Sequence, residues 1–156
     1  MNPFLTEKVI KATWDVTTHP SFTGGALAAG SYRPNAGSLQ IPAGAIITDV
    51  LIDVETTCET ASADAGTAAL GYTGATGAFV AAIAVSDASN VWDAGVKGSL
   101  VGSFALDGNA LTAVGMKDAK AATLIKVGAS NVDLLLTTAV QDFTEGTVSV
   151  YVKYLI

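Results

Sequence analysis

Residues 147–156 carry the clearest pattern in the chain, an alternation of two kinds of side chain. One side of the extended chain would present β-branched and aromatic residues, Val148, Val150, Val152, Tyr154 and Ile156, and the other would present Ser149, Tyr151, Lys153 and Leu155. Successive side chains of a strand point to opposite faces, so the pattern predicts a half-buried β-strand. Since a terminus frays unless a sheet holds it, we expect a structural building block.

Two further segments alternate in the same way. Residues 9–16 place four apolar side chains on one predicted face, Ile10, Ala12, Trp14 and Val16. Residues 45–55 predict a long strand whose core face carries Ile46, Thr48, Val50, Ile52 and Val54, and whose second face carries Ile47, Asp49, Leu51, Asp53 and Glu55. Pro42 cannot donate a ladder hydrogen bond and Gly44 permits a tight turn, so residues 42–45 predict a corner after a short strand at 39–41.

The remainder of the chain predicts shorter strands joined by turns. We expect strands at residues 68–72, 99–105, 122–127 and 132–138, and a polar loop at residues 56–67. Residues 77–90 are the exception, because the spacing of Phe79, Ala82 and Ile83 and the helix preference of alanine favour a short helix or an irregular crossover. The segments GASN and DFTEG have the length of hairpin connections, so the last three strands are predicted to form an antiparallel meander.

Together these elements predict an all-β fold, an antiparallel, jelly-roll-like β-sandwich of about eight strands with at most one short helix. We divide the chain into an N-terminal region, residues 1–37, and a β-sandwich domain, residues 38–156. The N-terminal region comprises an arm at residues 1–7, the first strand, and a turn-rich loop at residues 18–37. Loops of that length are usually functional or become ordered against a partner, so the arm and the loop are candidate contact surfaces.

The composition narrows the range of partners. Charged residues make up 14% of the chain, against roughly 25% in typical soluble domains, so we expect other copies or a partner to cover part of its surface. A net charge of −6 disfavours binding to nucleic acid and to anionic membranes, because both carry negative charge. No secretory signal and no membrane-spanning run is recognisable, so synthesis in the cytoplasm is expected.

Cys58 and His19 are the only cysteine and the only histidine, and a Ser–His–Asp triad would also depend on His19. A cysteine nucleophile needs an adjacent base, and nothing in the sequence orients these two residues toward each other. Cys58 is therefore interpreted as a small, partly buried hydrophobic residue, with a Cys–His dyad as the alternative. Zinc-binding clusters, a P-loop and a dinucleotide-binding setting are all missing from the sequence, so we expect no catalytic residue, no cofactor and no metal.

Three carboxylates share the second face of the long predicted strand: Asp49, Asp53 and Glu55. The simpler interpretation is a solvated sheet face, or one that discourages edge pairing. The alternative is a calcium site or a contact for a basic partner. The turn Asp107-Gly108-Asn109 has residue types that suit calcium, but it lacks the further ligands of an EF-hand loop.

Three segments carry a resemblance to a known group of proteins. They are residues 41–54 within LQIPAGAIITDVLIDVET, residues 70–79 around GYTGATGAFVAA, and residues 148–155 within VSVYVKYLI. Their order resembles that in small virion structural proteins of tailed bacteriophages, most of all capsid decoration (cement) proteins. The resemblance implies a β-sandwich that self-associates, commonly as a homotrimer, and attaches to the major capsid protein of a viral shell.

The sequence thus predicts a non-enzymatic phage virion protein at the capsid surface, made in the host cytoplasm, that binds and stabilises the shell. Deletion of residues 1–16 is expected to abolish shell binding. The alternative is a tail, fibre or baseplate-associated component of the virion, or a glycan-binding β-module; an aromatic content of 7% weighs against glycan binding. Trp14 and Trp92 are expected to pack in the core, with an anchor at a subunit interface as the alternative for Trp92.

Overall fold

The computed structural model describes residues 5–97 and 125–156, which form two antiparallel sheets of five strands each. The first sheet has the order β1 (Glu7–Asp15), β10 (Phe143–Leu155), β4 (Ile46–Thr60) and β7 (Gly95–Lys97), and β8 (Ile125–Lys126) also pairs with β4. The second sheet has the order β2 (Gly30–Tyr32), β9 (Val132–Ala139), β5 (Thr67–Tyr72) and β6 (Ala75–Ala84), and β3 (Gln40–Ile41) also pairs with β9. The predicted all-β sandwich is confirmed.

The core lies between the sheets and follows the predicted alternation. In β1 and β10 the buried positions include the pairs Ala12 and Val150, and Trp14 and Val148, which lie directly opposite each other. The second sheet contributes Leu70 and Leu136, which are also opposite each other. Opposed residues share one face of a sheet, so these pairs form continuous apolar rows across the strands. No helix among the described residues is long and apolar enough to cross a membrane.

A β-bulge in β4 corrects the predicted faces at its start. Lys153 lies opposite Asp49 and Tyr154 lies opposite Ile47, so Thr48 has no residue opposite it in β10. An extra residue in one strand reverses the alternation before it. Ile47 is consequently fully buried, whereas Ile46, which was expected in the core, is only half-buried.

Two predicted non-strand segments are strands. β4 continues through Thr60, into the segment expected to be a loop at residues 56–67. Residues 77–90, expected to hold a short helix or crossover, instead contribute most of β6. The register between β5 and β6 shifts twice, and the bulges bury the neighbours Phe79 and Val80 together. Because of these bulges, buried and exposed residues do not alternate strictly along this segment, and the spacing of its apolar residues resembles that of a helix.

The predicted meander of the last three strands is wrong. β9 belongs to the second sheet, whereas β8 and β10 belong to the first. The short connections therefore cross between the sheets. The DFTEG segment, residues 142–146, was expected to be a turn, but all of it from Phe143 onward belongs to β10. The strand predicted at residues 99–105 lies outside the described residues, as does the start of the one predicted at 122–127.

The N-terminal segment is part of both sheets. β1 begins at Glu7, inside the predicted arm, and Thr6 exchanges two backbone hydrogen bonds with Ile156. The loop at residues 18–37 contains β2, which pairs with β9, and Leu27, which exchanges two backbone hydrogen bonds with Phe143. These contacts hold most of the predicted contact region against the body of the sandwich.

Candidate functional site

The environment of Cys58 does not support a nucleophile. The side chain, on β4, is 3% exposed. Burial, together with the nearby negative charge of Asp93, raises the pKa of Cys58 to about 12. The thiolate is the reactive form of cysteine, so this thiol remains protonated and unreactive at neutral pH. The interpretation of Cys58 as a buried hydrophobic residue agrees with this environment.

His19 is buried and supports the loop that follows β1. Its Nδ1 accepts a hydrogen bond from the Ser21 backbone N–H at 3.1 Å, which leaves the ring hydrogen on Nε2. Nε2 then donates to the Arg33 carbonyl at 3.0 Å, and the ring packs edge-on against Tyr32 with 5.2 Å between centroids. Both ring nitrogens are occupied by the main chain. The structure therefore gives His19 a structural role and pairs it with neither Cys58 nor any carboxylate among residues 5–97 and 125–156.

The three acidic residues of β4 lie on the outer side of the first sheet, but they do not converge. Asp49 and Asp53 are four residues apart on one strand, about 13 Å at the usual rise per residue. Glu55 accepts a hydrogen bond from Ser149 Oγ at 2.7 Å and lies 3.9 Å from Lys11 Nζ. Among the described residues, no three histidine, cysteine or acidic side chains are close enough to hold a metal ion. The turn Asp107-Gly108-Asn109 lies outside the described residues.

A polar network ties three strands together on that same side. Ser149 of β10 is fully buried, and its hydroxyl lies 2.8 Å from Thr13 Oγ1 of β1, besides donating to Glu55 of β4. Farther along, Lys11 Nζ lies 5.4 Å from the centre of the Tyr151 ring. Leu51 lies opposite Tyr151 on the other side of β10. We call this side of the first sheet the outer face. It presents a mixture of charged and apolar groups suited to protein contact.

A second polar cluster, which the sequence did not indicate, surrounds Asp133 at the start of β9. Its carboxylate accepts hydrogen bonds from the Ser38 hydroxyl, from Gln40 Nε2 at 3.1 Å and from Arg33 Nη2 at 3.0 Å. The Ser38 hydrogen bond, with help from Gln40 and the charge of Arg33, lowers the pKa of Asp133 against the opposing effect of burial. The cluster attaches residues 33–40 to β9. A lone acid in an apolar run, VDLLL, was the only signal in the sequence.

Within the part of the chain that the structure describes, the exposed large apolar side chains lie at the edges and ends of the sandwich. They are Leu5, Val9, Val96, Val140 and Ile156. Val140 is 73% exposed and has a φ of 71°, a conformation that a β-branched residue rarely adopts. Trp92, in contrast, is fully buried, as is Trp14. Trp92 therefore packs within the chain and is not an exposed anchor.

No family model and no curated protein matches the sequence. Among solved structures, a chain in the acid-stable capsid of Helicobacter pylori bacteriophage KHP30 is similar with a TM-score of 0.54 and 10% sequence identity, over 97% of this chain and 88% of that one. A chain in the capsid asymmetric unit of cyanophage Pam1 is similar with a TM-score of 0.54 and 18% identity, over 100% of this chain and 89% of that one. At these identities the likeness establishes a shared fold.

Proposed function

We propose that this chain is a non-enzymatic structural protein of a phage virion that decorates the capsid and stabilises the assembled shell. The observation that carries the proposal is the shared fold, over nearly the full length, with chains solved within two phage capsids. The resemblance of residues 41–54, 70–79 and 148–155 to decoration proteins supports the same assignment. The protonated thiol of Cys58 and the main-chain bonds of His19 are consistent with a protein that acts by contact.

The mechanism is mass action. A protein that binds the assembled shell, but not its dissociated subunits, stabilises the shell by its binding free energy. Several linked copies of the chain, whether the homotrimer that the resemblance implies or a dimer, would strengthen attachment through avidity. The major capsid protein is the proposed partner, and the capsid surface is the proposed location.

The shell contact is proposed to lie within the N-terminal region, residues 1–37, which also contributes β1 and β2 to the two sheets. Within it, the exposed part of the loop is held in place by His19 and by the backbone bonds of Leu27 with Phe143. A surface that is already ordered loses less conformational entropy on binding than a flexible one. This pre-ordering supports the loop at residues 18–37 as the binding surface. The arm at residues 1–7, a candidate from the sequence, is proposed to contribute to the same contact.

The deletion of residues 1–16, suggested by the sequence, removes too much of the chain to test shell binding alone. That deletion removes β1 and with it the fully buried Trp14, so it would unfold the sandwich. Deletion of residues 1–5 stops before the backbone pair of Thr6 with Ile156 and leaves the first sheet intact.

Cosedimentation with shells assembled from the major capsid protein tests the assignment. The deletion of residues 1–5 and the loop substitution Ser21→Arg should each weaken binding at least tenfold. Ser62→Arg adds the same charge at an exposed position in a different turn and serves as the matched control. If both test variants bind like the unmodified chain, residues 1–37 are not the shell contact.

A location in the tail is the competing assignment. In that case the unmodified chain would fail to sediment with shells, and its density in an intact particle would lie in the tail. Glycan binding has less support, because Trp14 and Trp92, the side chains best suited to stack on sugars, are both buried.

A further inference from the structure

We propose that two copies of this chain pair along the outer edge of β1 and form an antiparallel ladder across a two-fold axis. Among the residues that the structure describes, β1 is the outermost strand of the first sheet, next to β10. The unpaired edge of a strand is a template for another strand, and proteins usually cover, shorten or charge such edges. Pairing of two β1 strands would join the first sheets of both copies into one continuous sheet.

The N-terminal half of this edge has open hydrogen-bonding groups. Thr6 and Ile156 exchange both backbone hydrogen bonds, at 2.8 and 3.0 Å. In an antiparallel ladder the next residue turns its backbone groups to the opposite side, so Glu7, Val9 and Lys11 direct theirs away from β10. Within residues 5–97 and 125–156, these outward groups have no hydrogen-bond partner.

The C-terminal half of the same edge is closed by Asn35. The Asn35 backbone N–H donates to the Thr13 carbonyl at 2.9 Å. Its side chain accepts from the Asp15 N–H and donates to the Asp15 carbonyl, both at 3.0 Å. Asn35 occupies the edge beside Thr13 and Asp15, which confines a pairing strand to the segment around Val9.

Charge selects the register of the pairing. Residues with outward groups must face one another, so the register changes in steps of two residues. When Val9 faces Val9 of the second copy, Glu7 faces Lys11 of the second copy at both ends. Other registers place Glu7 opposite Glu7, Lys11 opposite Lys11, or Val9 opposite a charge. Like charges directly opposite are unfavourable, so the Val9-centred register is selected.

The charges already present on the outer face extend this match. Glu7 Oε1 lies 3.3 Å from Lys153 Nζ of β10, and Lys11 Nζ lies 3.9 Å from Glu55 Oε1 of β4. In the paired sheets, Lys153, Glu7, Lys11 of the second copy and Glu55 of the second copy would alternate in sign. The Val9 side chain, 57% exposed in the single chain, would be covered at the axis. A second copy of this chain is therefore the partner that this edge fits.

Light scattering after size-exclusion chromatography of the full chain should show a dimer that dissociates on dilution. Val9→Pro should raise the dissociation constant of the dimer at least tenfold, because proline blocks pairing at the outward edge but removes no hydrogen bond to β10. A monomer at all concentrations, or a Val9→Pro chain that associates like the unmodified one, would overturn the proposal. A trimer that persists in Val9→Pro would also overturn it, in favour of the homotrimer expected from the resemblance.

Cross-linking tests the register and remains informative if Val9→Pro fails to fold. Under mild oxidation Val9→Cys should form a covalent dimer, because residues opposite each other across the axis have Cα atoms about 5.5 Å apart, within disulfide range. Lys11→Cys is the matched control on the same face, and its two copies would lie about 13 Å apart along the strands. Equal cross-linking of both variants, or of neither, would contradict the Val9-centred pairing.

Discussion

The side chain of Asn35 binds the main chain of Asp15 as a neighbouring β-strand would. The Asp15 N–H donates to Asn35 Oδ1, and Asn35 Nδ2 donates to the Asp15 carbonyl, each at 3.0 Å. Asn35 Nδ2 also donates to Thr18 Oγ1 at 3.0 Å. One amide therefore closes part of the β1 edge and fastens the loop between β1 and β2 to it.

Asn35→Ala should lower the free energy of unfolding by about 2 kcal/mol, because two buried or part-buried backbone groups of Asp15 lose their partner. Urea unfolding of the variant and the unmodified chain measures the difference. Asn131→Ala is the control: its amide accepts from the Ala43 N–H at an exposed position, where water replaces the lost bond. Equal losses in the two variants would show that Asn35 has no special role.

Gly146 lies so close to Cys58 that no side chain fits between them. A Cβ on Gly146 would lie 2.7 Å from Cys58 Sγ and 3.0 Å from Cys58 Cα, and the glycine has a φ of 138°. Gly146→Ala should therefore destabilise the fold by about 3 kcal/mol or more, measured by thermal or urea unfolding. Gly128→Ala, where a Cβ meets nothing within 4 Å, should change stability by less than about 1 kcal/mol. Similar values for the two would contradict the close contact.

Val140 stores backbone strain at the connection between β9 and β10. Its φ of 71° is costly for a β-branched residue, and its side chain is largely exposed. Val140→Asn should raise the free energy of unfolding by about 1 kcal/mol, because asparagine tolerates this conformation. Val96→Asn removes a similarly exposed valine from strand β7 and should give no gain. If both variants were stabilised, the cause would be the replacement of an exposed apolar side chain by a polar one, and not relief of backbone strain.

Asp133 should make stability depend on pH. The Ser38 hydrogen bond, with Gln40 and Arg33, lowers the pKa of Asp133 in the folded chain, so the carboxylate contributes stability above its unfolded pKa, about 3.9. That contribution is lost as the pH falls through the folded value. Unfolding free energies measured at pH 7 and pH 2 should therefore show Asp133→Asn less stable than the unmodified chain at pH 7, with a smaller difference between the two at pH 2. A difference that does not vary with pH would refute this.

The candidate site illustrates what residue types alone can indicate. The sequence shows that Cys58 and His19 are the only cysteine and the only histidine. It does not show that burial keeps the Cys58 thiol protonated, or that both His19 nitrogens bind the main chain. The polar anchors Asn35 and Asp133 act through contacts with residues distant in sequence, so no local pattern identifies them.

By itself the sequence determined that the fold is all-β and which faces of β1 and β10 point into the core, because alternation along one strand is a local property that burial of one face imposes. Tertiary structure alone decided the sheet to which each strand belongs, since β9 and β10 alternate in the same way and yet lie in different sheets. It also decided the bulge at Thr48 and the irregular pairing of β6. These features depend on which strand lies alongside. The partner of a strand is far away in the sequence, so the strand's own pattern of apolar and polar residues does not identify it.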